Sequence, residues 1–399
     1  MLGLGSSLSV GQSLIENVNF VSTWTVSGDE TARTITLPLV QNNKAGSGND
    51  INFTIDWGDG TAVEEITAYN DADRVHIYGT NGTYTVTMTG TIQGFKFDNS
   101  GDKTKLATIT NWGTFNFTNE DTFYGCSNLN VTATDVPIVS TTSLALAFNG
   151  CTALTSIGGN WDVSSVTAMN YLFANCTNFN QDIGSWDVSS VTAMNNMFAD
   201  AAAFNQNISG WDVGEVTNMK SMFWGATAFN NGGVALTESG NNWDMAKVEN
   251  CENMLRSATS FNQDISDWTV SAVTNMKRMF HTSTAFNQNI GSWNTSSVTN
   301  MYEMLANIAN FNQDISSWDV NQVSNFTNFL VNNAALTTAN YNKLLHHWHS
   351  DDPTDSLSFH GGDATTDSSS GGVDGTAARA ALVLATGSGG DGWTITDGD

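Results

Sequence analysis

The stretch FNQDIGSWDVSSVTAMNNMFADAAA, residues 179–203, is one copy of a unit that recurs along much of the chain. Its tryptophan returns in steps of 25 residues, with one step of 32, at Trp161, Trp186, Trp211, Trp243, Trp268, Trp293 and Trp318. The longer step is a seven-residue insertion between Phe229 and Trp243, whose glycines predict a surface bulge. Self-similarity at a fixed period of this length is the sequence signature of a repeat architecture.

The repeats extend in weaker form on both sides of this stretch. Counting one apolar position per unit gives nine repeats, at residues 123, 148, 173, 198, 223, 255, 280, 305 and 330. One unit holds too few apolar side chains to offset the conformational entropy that its 25 residues lose on ordering. We therefore predict that neighbouring units stack on one another as a solenoid.

Two local patterns alternate inside each unit. The segment FNQDI, residues 179–183, follows a turn and predicts a short strand. Ser189 or Ser190 then fits the N-cap of a helix, and the three- to four-residue spacing of Val191, Met194 and Phe198 predicts one short helical face. A strand and a short helix per unit is the plan of leucine-rich repeats.

Polar residues recur at two positions of the predicted strand. The first position holds Asn180, Asn205, Asn230, Asn262, Asn287 and Asn312, and the second holds Asp182, Asn207, Gly232, Asp264, Asn289 and Asp314. Stacked amides can hydrogen-bond from one unit to the next, and alternating acids and amides keep like charges apart. Two interpretations stay open, fold maintenance and a stripe that binds a ligand or a cation. The binding-face candidates are Asn180, Asp182, Asn205, Asn207, Asn262, Asp264, Asn287, Asn289, Asn312 and Asp314.

Residues 19–98, before the repeats, alternate β-favouring segments with turns. The segment DWGDGT, residues 56–61, is followed by H-x-Y from His76 and G-x-Y from Gly82. This pattern resembles the PKD (polycystic kidney disease) domain, which implies an immunoglobulin-like β-sandwich. Asp56 and Asp59 fit turn chemistry. They are also candidate Ca²⁺ ligands, although D-x-x-D-G departs from the EF-hand spacing.

Residues 336–399 differ from the repeats and predict a cap with helices at 337–348 and 377–384 and a strand at 393–396. An atypical end stops the open edge of a repeat array from pairing with other chains. The predicted fold class is thus mixed β/α. A PKD-like β-sandwich over 19–98 precedes a leucine-rich-repeat-like right-handed solenoid over 99–335 and a C-terminal α/β cap, and residues 1–18 form an attachment or assembly segment.

The repeated motifs W-D-V-S-S-V-T-x-M-x-x-M-F and F-N-Q-D-I-S are similar to those of BspA-like surface proteins, the DUF285 family. This resemblance implies a surface-displayed, non-enzymatic protein for adhesion or recognition, with no catalytic residues to carry over. The first 20 residues contain no Lys or Arg and no apolar core segment, so no Sec signal peptide is seen. We expect an extracellular location, on a virus particle or a cell surface.

The charge balance restricts the partners. Lys and Arg number 13 against 39 Asp and Glu, a net charge of −26. Ordinary binding to nucleic acids or anionic lipid surfaces needs clustered positive charge and is not expected. No apolar run approaches the length of a membrane span. Self-association into a homo-oligomer stays open.

The sequence offers little catalytic chemistry. GSGGDG, residues 387–392, matches G-x-G-x-x-G but does not lie between a strand and a helix, as a dinucleotide loop must. Cys126, Cys151 and Cys176 share a repeat position with alanines, which predicts small, buried and inert thiols, although disulfides between adjacent units are geometrically conceivable. His346 and His349 end a predicted helix without further metal ligands. We predict no catalytic residue, no cofactor and no metal site beyond the candidates Asp56 and Asp59.

These observations predict a non-enzymatic adhesion or recognition protein. Its elongated repeat face would bind a host or cell-surface receptor, a glycan, or another envelope or virion protein, through many weak contacts. The alternative is a purely structural component of a virion or a cell envelope. A carbohydrate-active enzyme is less favoured, because it would need a clustered pair of carboxylates.

Overall fold

The computed structural model describes residues 19–41, 51–239, 243–350, 356–384 and 391–398. The predicted attachment segment, residues 1–18, lies outside the described residues, as does most of the GSGGDG segment. The strands are β1 Asn19–Val26, β2 Thr34–Thr36, β3 Asn52–Asp56, β4 Glu64–Ile66, β5 Val75–Ile77, β6 Gly82–Thr91, β7 Leu106–Asn111, β8 Asn116–Phe117, β9 Asn130–Val131, β10 Ile138–Val139, β11 Ser358–His360 and β12 Thr394–Thr396. The helices are α1 Thr338–Ser350 and α2 Gly375–Val383.

A six-stranded sheet, in the order β4-β3-β6-β1-β7-β9, forms the N-terminal part of the structure. Its central strand β1 alternates buried and more exposed residues, so Phe20 and Trp24 face the core. β1 pairs antiparallel with β6, from Asn19 opposite Thr89 to Val26 opposite Gly82. β7 and β9 extend the same sheet beyond residue 98, and β2 and β5 form a separate antiparallel pair.

The repeats contain neither of the regular elements predicted for them. Among the described residues between β10 and α1, the only regular element is a 3-10 helix at Asn231–Gly233, inside the insertion. Single parallel β-bridges join one repeat to the next, at Ser143–Ala168, Ala168–Ala193, Ala193–Asn218, Asn218–Asn250, Asn250–Asn275, Asn275–Asn300 and Asn300–Asn325. Adjacent repeats therefore lie side by side in register.

The predicted helix over Val191–Phe198 is wrong because its backbone bonds to the next repeat. The N–H groups of Met194, Asn196 and Phe198 donate to carbonyls of the following unit, at 3.2, 2.9 and 2.9 Å. Asn196 and Asp200 have φ of 57° and 56°. An α-helix needs negative φ throughout and bonds within its own segment, so this backbone cannot form one. Positive φ recurs at the equivalent two residues of other repeats: Tyr171 and Asn175, Ser221 and Gly225, Asn253 and Ser257, Arg278 and Thr282, Glu303 and Asn307, and Asn328 and Asn332.

The predicted strand FNQDI is also wrong, because side chains replace the backbone ladder there. The N–H of Asn205 donates to the side-chain oxygen of Asn180 at 2.9 Å rather than to a backbone carbonyl. The side-chain amide of Gln206 donates to the Asn180 carbonyl at 2.8 Å. Neighbouring units are therefore joined here without strand geometry.

The fold-class prediction of a mixed β/α protein is thus wrong. The described residues are mostly sheet and loop with two α-helices, and their sheets are one of six strands and three of two. None of these sheets is closed or winds through the repeats, so neither the PKD-like sandwich nor the leucine-rich-repeat-like solenoid with an α/β cap is shown. The apolar spacing of the repeats is compatible with a helix, but the recurring positive φ imposes a different backbone.

Aromatic side chains at equivalent positions stack from one repeat to the next. Phe198 lies 5.8 Å from Phe173 and 5.6 Å from Phe223, measured between ring centroids. Trp293 lies between two tryptophans of the neighbouring units, 6.1 Å from Trp268 and 6.2 Å from Trp318. These rings belong to one hydrophobic core that runs through the described chain from Phe20 to Trp393.

The two helices and the last two strands follow the final repeat. α1 and α2 confirm the helices predicted near 337–348 and 377–384, and β12 confirms the terminal strand. β11 and β12 pair in parallel. Trp348, Phe359 and Trp393 pack against Phe326 of the last repeat, so this segment covers the apolar end of the array.

Replacing Phe198 with alanine should lower the free energy of unfolding by about 3–5 kcal/mol, because a fully buried ring is lost from the aromatic stack. Urea unfolding followed by tryptophan fluorescence measures the change. Ser190→Ala, at an exposed position of the same repeat, is the control and should stay within about 0.5 kcal/mol of the native chain. Equal effects of the two changes would contradict the stacking.

Candidate functional site

The asparagine row of the predicted binding face holds the repeats together. The side-chain oxygens of Asn180, Asn205, Asn230, Asn262 and Asn287 each accept the backbone N–H of the next asparagine in the row, at 2.8–2.9 Å. Glutamine amides from the following unit add a second bond, as Gln288 does to Asn262 at 3.0 Å. These oxygens are engaged in stacking, which favours the fold-maintenance interpretation of this row.

The second row of predicted binding residues is exposed. The side-chain oxygens of Asp182, Asn207, Asp264, Asn289 and Asp314 each accept the backbone N–H two residues later, at 2.9–3.1 Å. Each bond closes a local turn within one repeat. Burial would raise the pKa of Asp314, but hydrogen bonds from Ser316 and Lys343 lower it on balance. This row faces solvent and remains a prediction as a binding surface.

A third polar row follows the tryptophans and was missed by the sequence reasoning. It consists of Asp162, Asp187, Asp212, Asp244 and Asp319, each of which accepts the backbone N–H two residues later. Ser189 donates both its N–H and its hydroxyl to Asp187, so it closes a turn and is not an N-cap. The recurring W-D pair was the signal for this row.

The candidate Ca²⁺ ligands Asp56 and Asp59 serve local structure. One oxygen of Asp59 accepts the N–H and the hydroxyl of Thr61, and the other lies 2.8 Å from His76 Nε2. Asp56 accepts the N–H of Gly58 at 2.8 Å. Burial would raise the pKa of Asp59, but the bonds from Thr61 and His76 lower it on balance. Across the described ranges, no group of three or more His, Cys, Asp or Glu side chains could hold a metal ion.

The cysteines are free and buried. Cys151 and Cys176 direct their thiols at carbonyls of the preceding repeat, 3.2 and 3.0 Å away. Burial raises the pKa of the Cys151 thiol well above its usual range and that of Cys251 to about 12. Since the thiolate is the reactive form, these residues are chemically inert. Ser283 occupies the same repeat position and bonds the same way, to the carbonyl of Leu255.

Each repeat has a segment with two residues of positive φ, such as residues 194–200. The repeats differ most from one another in the outward residues of this segment. Its inward residues recur as Met and Phe or Leu, while its outward residues change from unit to unit. The two preceding repeats carry Asn170, Tyr171, Asn195 and Asn196 there, of which Tyr171 is exposed and Asn196 is buried. The following four repeats carry charged and aromatic side chains, which we call the variable patch: Lys220, Trp224, Glu252, Arg256, Lys277, Arg278, His281, Tyr302 and Glu303.

Ion pairs connect the repeats across the variable patch. Glu252 lies between two lysines, 2.9 Å from Lys220 and 3.3 Å from Lys277. Burial would raise the pKa of Glu252, but its bonds to both lysines lower it on balance. Glu303 accepts from Arg278 at 2.7 Å. The carboxylates therefore hold cationic side chains in place, but the variable patch contains four Lys and Arg residues and only two Glu residues.

Aromatic rings in the variable patch lie beside guanidinium groups. Arg256 is 5.3 Å from the centre of the Trp224 ring, and Arg278 is 5.0 Å from that of Tyr302, within cation–π range. Trp224 is 37 % exposed, whereas the tryptophans of the W-D row are buried. Burial, followed by the charge of Arg256, lowers the pKa of His281, which leaves its ring neutral at pH 7.

Sequence reasoning did not identify the variable patch. The signal was present, since five of the chain's 13 Lys and Arg residues fall in three consecutive repeats, and four of the five lie in the patch. An overall charge of −26 hides such a local excess of cations. Comparing the positions that differ between repeats, rather than those that recur, would have found it.

Asn262→Ala should lower the free energy of unfolding by about 1–3 kcal/mol, because the Asn287 N–H loses its acceptor and the Gln288 amide keeps only the Asn262 carbonyl. Asp264→Ala, two residues away in the exposed row, is the matched control and should cost about 0.5 kcal/mol. Denaturant titration measures both changes. Equal costs would show that the asparagine row does not hold the repeats together.

Comparison with known proteins supports the family resemblance. A family model described as Mycoplasma protein of unknown function, DUF285, matches residues 142–241 and 233–348, together just over half of the chain. The resemblances to PKD domains and to leucine-rich repeats are not confirmed. No curated protein matches the chain, and no solved structure does. The matched residues include every repeat that carries the variable patch, and the chain belongs to the DUF285 family.

Proposed function

We propose that this protein is a non-enzymatic recognition protein that presents the outward side of its repeats to a partner on a cell surface or a virus particle. The observation that carries the proposal is the contrast between the two sides of each repeat. The inward residues are nearly constant, while the outward residues gather charged and aromatic side chains in the variable patch. Exposed Trp and Arg are characteristic of binding hot spots.

The surface of the repeats offers little that resembles an active site. Its depressions beside Asp182 and beside Trp268 hold about 430 and 320 Å³ and are lined mainly by short polar side chains. Enzyme pockets are usually apolar with a few convergent polar groups. The aspartates that line these depressions accept backbone N–H groups: Asp182 that of Gly184 in a local turn, and Asp267 those of Glu238 and Ser239 in the insertion. These bonds support a role in structure rather than acid–base chemistry.

A location outside the cell is part of this proposal. The family resemblance supports it, and the net charge of −26 suits a surface that resists non-specific association. No helix in the described ranges combines the length and apolar character that crossing a bilayer requires.

A purely structural role is the second candidate. The asparagine row supports it, because these side chains are engaged in joining the repeats, as a stiff spacer requires. A spacer would not need the variable patch. The two candidates therefore differ in whether blocking the outward side of the repeats affects attachment.

Gold-labelled antibodies against the repeats should bind the outer surface of intact producing cells or of released particles. Fab fragments of the same antibodies should reduce attachment of those cells or particles to their target surface, because they cover the outward residues. Electron microscopy and an attachment count measure the two effects. Label confined to the cytosol would refute the proposal, and surface label without any effect of the Fab fragments would favour the spacer.

A further inference from the structure

We infer that the variable patch binds a linear anionic polysaccharide, with Arg256 receiving its acidic groups and Trp224 packing against a sugar ring. This inference rests on the proposed recognition function and names the chemistry of the partner. It concerns a part of the surface that none of the recurring polar rows occupies.

The charge distribution favours an anionic partner at this place. The patch holds Lys220, Arg256, Lys277 and Arg278 against the two carboxylates Glu252 and Glu303, in a chain whose net charge is −26. A polyanion is repelled by most of this protein and attracted by the patch. Such a contrast directs the encounter to one site and fixes its orientation.

Arg256 has unused capacity for hydrogen bonding. Among the described residues no carboxylate pairs with it. Its Nε–H has no acceptor but is buried, so a ligand at the surface would meet the terminal Nη groups. Arg278, in contrast, already bonds to Glu303. A guanidinium held over an aromatic ring presents its donors in a planar fork, which suits a carboxylate or a sulfate. Arg256 and Trp224 therefore form a preassembled pair at the start of the patch.

The shape of the patch suits a linear polymer. It runs from Lys220 through Arg256 and Lys277 to Tyr302, one repeat at a time. Backbone bonds such as Arg278 N–H to the Tyr302 carbonyl, at 2.9 Å, hold adjacent repeats in register. With roughly 4.8 Å between hydrogen-bonded segments, the patch extends roughly 15 Å along the array. A chain with regularly repeated acidic groups can meet these cations in succession.

The composition favours a polysaccharide over a protein partner. The buried core of a protein interface is poor in Lys and Glu, whereas this patch has two lysines and two glutamates. The hydroxyl of Ser257, at its edge, can bond to sugar hydroxyls. Trp224, 37 % exposed, offers apolar surface to a sugar ring.

The binding test uses the full chain and four probes in biolayer interferometry. Polygalacturonate carries carboxylates, heparin carries sulfates, dextran is neutral, and poly-L-glutamate is an acidic peptide. We expect binding to polygalacturonate or heparin that weakens as salt rises, and no binding to dextran. Which of the two binds identifies the acidic group. Failure of both, equal binding of dextran, or poly-L-glutamate binding as tightly as the polysaccharides would overturn the inference.

Variants locate the site. Arg256→Gln and Trp224→Ala should each weaken binding at least about tenfold. Lys247→Gln is the matched control, because Lys247 is an exposed cation on the repeats outside the patch, paired with Glu215. It should leave binding within about twofold. Equal loss in Lys247→Gln and Arg256→Gln would show non-specific charge attraction and would overturn the inference.

Arg278→Asn separates binding from stability. Asparagine occupies the equivalent positive-φ position at Asn196 and Asn253, but the change removes the bond to Glu303. The melting temperature should therefore fall only slightly while polysaccharide binding falls. A variant that melts normally and binds normally would contradict the role of Arg278. If no polysaccharide binds but Fab fragments still block attachment of the cells or particles, this inference fails and the proposed recognition function stands.

Discussion

The hydrogen bonds that run from each repeat to the next are the interaction on which the rest of this structure depends. They require two residues of positive φ in every unit, since this alternation turns backbone N–H groups such as those of Met194 and Asn196 toward the neighbouring repeat. The same register places equivalent aromatic rings above one another, as in Phe173, Phe198 and Phe223. A hydrogen-bonding constraint thus determines the packing of the core.

Because of this constraint, side chains at different positions of a repeat have different roles. Where the backbone does not bond to the next repeat directly, asparagine side chains such as Asn262 complete the connection. The inward residues fill the core and change little. The outward residues near Trp224 and Arg256 contribute less to stacking, so they are free to differ from repeat to repeat. Variation on a constant framework is how repeat proteins acquire binding surfaces.

The sequence predicts the repeat period, the buried residues and the terminal helices, because these depend on apolar spacing. It does not predict the backbone of the repeats. The spacing of Val191, Met194 and Phe198 fits a helix equally well, and the decisive residues, Asn196 and Asp200, look like ordinary surface positions. The asparagine row was recognised as a ladder but was assigned to a strand. The variable patch was missed because it is defined by differences between repeats.

The most direct test of the central claim is amide hydrogen exchange, resolved by NMR, at the asparagine row. The account predicts that the backbone N–H groups of Asn205, Asn230, Asn262 and Asn287 exchange as slowly as those of β1 and β6, because each is bonded to the side chain of the preceding repeat. Exchange as fast as that of an exposed loop would contradict it, since the repeats would then not be joined through these side chains.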